Sequence, residues 1–96
     1  MRSSYIVSYD ITNPRRLQKV HKVMKGFGQH IQYSVFRCDL SDVDKVRMKA
    51  RLSGLINHKE DQVLIIDLGP MEGRAKDCIE HMGKPYHPRE IGATVV

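Results

Sequence analysis

The chain lacks the features that define several classes of protein. Its only two cysteines, Cys38 and Cys78, are too few and too far apart for a disulfide framework or a structural zinc site. No apolar run approaches the ~20 residues that a membrane helix needs, so we expect no membrane partner. Residues 1–4 precede no signal-like apolar core, and no glycine-rich phosphate loop is present. We therefore expect a cytoplasmic protein with reduced thiols.

Acidic residues are missing from a long stretch near the start of the chain. The protein has 16 Lys+Arg against 11 Asp+Glu, a net charge of +5 and a pI near 9.4. Residues 11–38 hold no acid but six of the basic residues, namely Arg15, Arg16, Lys19, Lys22, Lys25 and Arg37. A concentrated basic field attracts polyanions, most often nucleic acid. The alternative is a solvated helix face in a mildly basic protein.

The 96 residues are enough for one small domain, and neither repeats nor a second domain divide them. Hydrophobic periodicity predicts strand 5–11, helix 14–27, an extended region 31–40, a helix from 42 to about 56, strand 62–68, a short helix 74–82 and a final strand 90–96. The pattern leaves open whether 31–40 is one strand or two that meet near residues 33–34. This order predicts an α+β, ferredoxin-like split βαβ sandwich with both helices on one face of an antiparallel sheet.

Two helix starts carry recognisable capping residues. Asn13 followed by Pro14 supplies a capping side chain and then a residue whose fixed φ suits the first turn. Ser41 with Asp44 is a weaker match to a capping box, since Asp replaces the usual Glu.

The alternation in the first strand predicts two different faces. Four apolar residues are expected under the helices, namely Tyr5, Val7, Tyr9 and Ile11. We expect the opposite, open face to carry Ile6, Ser8, Asp10, Phe36 and Cys38. Because that face is partly apolar, a two-fold partner laid against it is expected, and this would bring two copies of Asp10 towards each other.

Asp10 is the candidate for chemistry. It ends the first strand next to a helix start that carries Arg15 and Arg16, so this end could hold a cation and a phosphate together. This arrangement suggests phosphodiester chemistry or phosphate binding. The alternative role for Asp10 is an Asx-type turn, in which its carboxylate accepts from the N–H of Thr12 or Asn13.

Four stretches of the chain resemble one protein family. They are Tyr9-Asp10-Ile11, Arg15-Arg16, the run Gln32-Tyr-Ser-Val-Phe36 and the apolar strand after Asp61. Together with the length and the order of elements, they resemble the second CRISPR-associated adaptation protein, the Cas2 family of small endoribonuclease-type proteins. The likeness covers nearly the whole chain.

The resemblance implies a fold, an activity and partners. It implies that region 31–40 is two antiparallel strands, and that a carboxyl-terminal arm and strand, about 84–96, adds to the partner's sheet in a homodimer. It also implies a metal-dependent endonuclease on single-stranded RNA or double-stranded DNA, with Mg²⁺ held between protomers by Asp10, the expected catalytic residue. A CRISPR integrase (CRISPR-associated protein one) is the implied partner in spacer capture. The expected nucleic-acid contacts are Tyr9, Arg15, Arg16, Lys19, Ser34, Phe36 and Arg37.

Other functions stay open from the sequence. The main alternative is a non-catalytic scaffold that grips duplex DNA and bridges the integrase. A toxin-like ribonuclease of the same fold is a nearer competitor than a ferredoxin-like small-molecule regulator, for which no ligand motif is present.

Overall fold

A computed structural model of the chain describes residues 1–84 as one antiparallel sheet covered on one face by two helices. The elements in chain order are β1 (Ser3–Asp10), α1 (Pro14–Lys25), β2 (Gln29–Gln32), β3 (Val35–Leu40), α2 (Asp42–Leu55), β4 (Gln62–Pro70) and a 3-10 helix (Arg74–Lys76). The strand order β2-β3-β1-β4, with every neighbouring pair antiparallel, is the split βαβ arrangement. The predicted α+β fold is therefore confirmed. The predicted arm and strand exchanged with a partner, 84–96, lies outside the described residues except for Lys84. Within the described part of the chain, neither helix has the length and apolar content that a membrane crossing requires.

Both predicted helix caps are present. The Asn13 side chain accepts from the backbone N–H groups of Arg15 (2.9 Å) and Arg16 (3.1 Å), and Pro14 is the first residue of α1. The Ser41 hydroxyl accepts from the N–H of Asp44 at 3.2 Å and starts α2. These bonds satisfy N–H groups that have no partner within the helix.

The extended region is two strands, as the family resemblance implied. The chain reverses between β2 and β3 at residues 33–34, where Tyr33 has a φ of 25°. The N–H of Tyr9 donates to the carbonyl of Ser34 at 3.0 Å and ties this turn to the end of β1.

The core lies between the sheet and the helices. The four apolar residues that the alternation placed under the helices, Tyr5, Val7, Tyr9 and Ile11, are buried there, as predicted. They pack with residues of both helices, namely Val20, Met24, Met48 and Leu52. The placement of Phe36 and Cys38 on the open face was wrong, because both are completely buried in this core. The register gives the reason: Phe36 pairs with Val7 and Cys38 with Tyr5, so they share the helix-covered face.

The other face of the sheet is partly apolar. Ile6 pairs with Ile66, and Ser8 pairs with Leu64, so these side chains share one face with Asp10. Leu64 and Ile66 are each about half exposed, at 48% and 49%. This surface, defined by Ile6, Leu64 and Ile66, is called the apolar sheet patch below.

Two predicted helical features were wrong. The segment 74–82 forms only the three-residue 3-10 helix, whose Ala75 is buried. In α1, the helix ends at Lys25 rather than Phe27.

Candidate nucleic-acid and metal site

Asp10 is the last residue of β1 and is exposed to solvent. Among residues 1–84 its carboxylate has no hydrogen-bond or ion-pair partner. The alternative of an Asx-type turn is not what forms, because the N–H of Thr12 donates to Asp61 Oδ1 instead, at 3.3 Å. An exposed, unpaired carboxylate is available to bind a cation from solvent.

One chain supplies few ligands for a metal ion. Residues 1–84 contain no cluster of three or more His, Cys, Asp or Glu side chains with suitable spacing. Mg²⁺ is bound in proteins by one or two carboxylates while it keeps several water molecules. The single Asp10 carboxylate fits that chemistry as one ligand of such a set, and residues 1–84 hold no cluster that would supply the others.

The start of α1 has fewer groups free for phosphate than the sequence suggested. The backbone N–H groups of Arg15 and Arg16 are both occupied by the Asn13 side chain, and Pro14 has none. The N–H of Leu17 donates to the Asn13 carbonyl. Any anion at this end must therefore be held by side chains, and the exposed Arg15 is the first of them.

Arg16 does not lie in acid-free surroundings. Its Nε donates to Asp61 Oδ2 at 2.8 Å and its guanidinium to Glu60 at 3.0 Å, from the loop before β4. The Asp61 side chain has no exposed surface and also accepts from the N–H of Asn57 at 2.8 Å. The hydrogen bond from Arg16 is the main cause that lowers the pKa of Asp61 to about 2, and the same pair raises the pKa of Arg16. Arg16 thus holds the start of α1 against the loop before β4, which is a structural role that the sequence did not reveal.

Arg37 is also engaged within the protein. Its guanidinium donates to the carbonyl of Ala75 at 2.9 Å and lies 3.8 Å from the carboxylate of Asp39. It therefore holds the segment after β4 against the sheet, near Ser4 and far along β1 from Asp10. The contact of Arg37 with nucleic acid stays a prediction.

The remaining predicted contacts fall into two groups. Lys19 is exposed on α1 and shares a helix face with Arg15, four residues earlier, so these two cations form one basic strip that continues to Lys22. Ser34 is half-buried in the turn beside Tyr9. Tyr9 and Phe36, by contrast, are core residues, and zero exposure leaves the Phe36 ring no surface on which a base could stack.

A ring cluster around Phe36 was not foreseen. The centroid of Phe36 lies 5.0 Å from that of His30, 5.3 Å from that of His21 and 6.2 Å from that of Tyr9. The Tyr9 hydroxyl is hydrogen-bonded to His21 Nδ1 at 2.9 Å. Burial raises the pKa of Tyr9 to about 12, and burial followed by the neighbouring His30 lowers the pKa of His21. The two histidines come from different elements, so no spacing in the sequence could have revealed the cluster.

Tyr33 is a second feature that the sequence reasoning passed over. It lies in the motif 32–36, of which only Ser34 and Phe36 were predicted as contacts. Its side chain is 93% exposed at the tip of the β2–β3 turn.

Comparison with known proteins identifies close relatives. The profile of the CRISPR associated protein Cas2 family matches residues 3–74. A CRISPR-associated endoribonuclease Cas2 from Geobacter sulfurreducens is 46% identical over 96 residues and covers 100% of both chains. Another, from Rhodospirillum rubrum, is 40% identical over 93 residues, 97% of this chain and 90% of that protein.

Solved structures agree with this result. The crystal structure of Streptococcus pyogenes Cas2 matches with a TM-score of 0.72 and 30% identity, over 83% of this chain and 99% of that one. A hypothetical protein from Thermus thermophilus matches with a TM-score of 0.79 and 25% identity, over 93% and 100% of the two chains.

Proposed function

Because the chain belongs to the CRISPR-associated Cas2 family, we propose that it is a Mg²⁺-dependent endoribonuclease of CRISPR adaptation, with its metal site at a dimer seam. The observation that carries this proposal is Asp10, an exposed carboxylate without a partner among residues 1–84. The relatives' names, which describe endoribonucleases, support the activity. Such a protein would work in the cytoplasm.

A homodimer completes the site. Residues 1–84 of one chain supply Asp10 without a ligand cluster around it, and the apolar sheet patch lies on the same face as Asp10. Two patches that face each other across a two-fold axis would bury apolar side chains that are half exposed in the single chain. The same pairing would bring the two Asp10 carboxylates towards each other at the seam, where both could bind one ion.

Different residues of the chain would have different roles in cleavage. Bound Mg²⁺ would lower the pKa of a coordinated water and offset charge on the phosphate. The Asp10 pair would hold the ion at the seam, and Arg15 would contact phosphate oxygens with charge-assisted hydrogen bonds. Arg16 would act on the site only by fixing the start of α1 through Asp61.

The test is cleavage of single-stranded RNA and of duplex DNA with and without Mg²⁺. We expect Mg²⁺-dependent cutting by the wild type and its loss in Asp10→Ala. Asp42→Asn is the matched control, since Asp42 is also an exposed acid but lies at the start of α2. Cutting by Asp10→Ala at the wild-type rate would contradict the proposal, because a contaminating nuclease would then be its source.

A non-catalytic scaffold is the second candidate, and the basic strip of Arg15, Lys19 and Lys22 favours it. α1 carries no acid, and exposed cations on one helix face suit the phosphates of a duplex. In this function the dimer would grip duplex DNA and bridge the CRISPR integrase.

Salt dependence and spacer capture distinguish the two functions. About four phosphate contacts give a slope of about −3.6 for log K against log salt, with little preference for sequence. Under the scaffold function, Asp10→Ala should keep spacer capture, whereas Arg15→Ala should weaken DNA binding. Loss of capture in Asp10→Ala, with dimer and DNA binding preserved, would count against the scaffold.

A further inference from the structure

We propose that Tyr33 is a stacking platform that selects an unpaired nucleobase of single-stranded RNA beside Asp10. The inference rests on the proposed function, because it assigns a substrate-contacting residue to that same site. It starts from exposure: the Tyr33 side chain is 93% exposed, whereas Tyr5 and Tyr9 are 3% and 5% exposed. Among residues 1–84, packing against other side chains therefore does not explain a large aromatic ring at this turn.

The backbone at Tyr33 is unusual for this residue type. Its φ of 25° lies in the left-handed region, where Gly, Asn or Asp is the ordinary choice in a turn. Turn formation alone therefore does not account for a tyrosine there. Non-glycine residues held in sparsely populated backbone regions cluster at ligand-binding sites.

Hydrogen bonds hold the turn on both sides, so the Tyr33 ring projects from a fixed backbone. His30 Nε2 donates to the Tyr33 carbonyl at 2.6 Å, and the His30 ring packs against Phe36 with centroids 5.0 Å apart. On the other side, the Ser34 carbonyl accepts from the N–H of Tyr9 at 3.0 Å. Because the turn is tied to the core by both bonds, little backbone freedom remains to be lost when a base stacks on the ring.

The strand register places this turn next to Asp10. β1 and β3 pair through Ser8 and Val35, and the bond from Tyr9 to Ser34 continues the ladder by one step. Asp10 follows Tyr9 at the end of β1 and Tyr33 precedes Ser34 in the turn, so each lies one residue from this bond. A chain whose phosphate reaches Asp10 could therefore set a neighbouring base on the Tyr33 ring.

Stacking on an exposed ring requires a base that is not enclosed in a duplex. Aromatic platforms bind single strands with little sequence preference, because every base has a π-face. Single-stranded RNA is read mostly through such splayed bases. Lys19 and Arg15 can contact the phosphates of any nucleic acid, so Tyr33 is the group that would favour single strands over duplexes.

Binding measurements in an Asp10→Asn background test the platform without cleavage. We expect Tyr33→Ala to weaken binding of a single-stranded RNA dodecamer about tenfold, the lower part of the range for one stacked base. Tyr33→Phe, which keeps the ring, should stay within about twofold, as should Val46→Ala, a control at an exposed apolar residue of α2. Binding of a duplex RNA of the same length should change less than about twofold in every variant.

A unique fluorophore gives a second readout. The chain contains no tryptophan, so Tyr33→Trp places a single indole at the turn. Single-stranded RNA should quench its emission, whereas a duplex or an abasic strand should not.

Several outcomes would overturn the platform. Tyr33→Ala could bind single-stranded RNA as tightly as the parent protein, or Tyr33→Phe could lose as much single-strand binding as Tyr33→Ala. Tyr33→Ala could also lose as much duplex binding as single-strand binding, or the parent protein could fail to bind single-stranded RNA. Failure of the proposed function has a different signature, namely cutting that is insensitive to Asp10 or absent. The stacking role of Tyr33 is tested by binding and quenching, whereas the nuclease function is tested by cleavage. Either proposal can therefore fail while the other is supported.

Discussion

Phe36 and Tyr33 lie three positions apart in one short segment, and their environments are opposite. Phe36 is 0% exposed and Tyr33 is 93% exposed. Alanine at position 36 should therefore remove folding stability, whereas alanine at position 33 should leave stability almost unchanged.

The size of the effect follows from the surroundings of Phe36. Replacing a buried Phe by Ala typically costs about 3–5 kcal/mol. Three neighbouring rings, those of Tyr9, His21 and His30, lie with centroids 5.0–6.2 Å away, and such pairs add stabilisation beyond area burial. We therefore expect about 4 kcal/mol for Phe36→Ala, a large part of the ~5–15 kcal/mol available to a small domain. With ~4–8 °C per kcal/mol, the unfolding temperature should fall by at least ~16 °C.

Thermal unfolding followed by circular dichroism measures this difference. The wild type, Phe36→Ala and Tyr33→Ala must be compared at one protomer concentration, because dimer formation would make the unfolding temperature depend on concentration. Tyr33→Ala, an exposed substitution, should stay within about 0.5 kcal/mol of the wild type. A Phe36→Ala protein that unfolds at the wild-type temperature but no longer binds RNA would refute the reasoning and restore Phe36 as a contact residue.

Three further predictions concern the ion pair, the basic strip and the buried tyrosine. The hydrogen bond from Arg16 lowers the pKa of Asp61 from 3.8 to about 2, so its stabilisation is full above pH ~4 and is lost as pH falls through about 2. Asp61→Asn should therefore flatten the fall in unfolding temperature across that window, and an unchanged pH profile would argue against the pair. Arg15→Ala should reduce the salt slope of duplex binding by ~0.9 for each lost phosphate contact, whereas Arg16→Ala should lower the unfolding temperature without changing the slope. Tyr9→Phe removes the bond to His21 and should cost about 1 kcal/mol, or ~4–8 °C, in the same unfolding assay.

Local signals in the sequence were enough for β1, the start of α1 and the position of Asp10, whereas the division of region 31–40 into two strands came only from the family resemblance. The alternation in β1 and the Asn13 cap depend only on neighbouring residues, and both are present as predicted. The position of Asp10 at a strand end, exposed and next to a helix start, also follows from local order. These features require no knowledge of which strands pair.

Features that depend on pairing could not be predicted in the same way. A shift of one residue in register moves a side chain to the other face, and the face of Phe36 was assigned without knowing that it pairs with Val7. Residues 11–38 contain no acid, but the fold brings an acid to them from elsewhere in the chain. Asp61, 45 residues after Arg16, accepts a hydrogen bond from it. Arg37 is likewise engaged by Ala75, 38 residues further on.

The two faces of β1 therefore separate stability from the proposed chemistry. Tyr5, Val7 and Tyr9 are buried and form part of the core, so substitutions there should act on every property through folding. The even-numbered residues of β1 include Ile6 in the apolar sheet patch and Asp10 at the strand end. Because the patch and the carboxylate share one face, the contact that would bury the patch is the same contact that would pair the carboxylates. Under the proposed function, a single strand with a period of two would link dimer formation to metal binding, and one acid in each chain would supply two ligands.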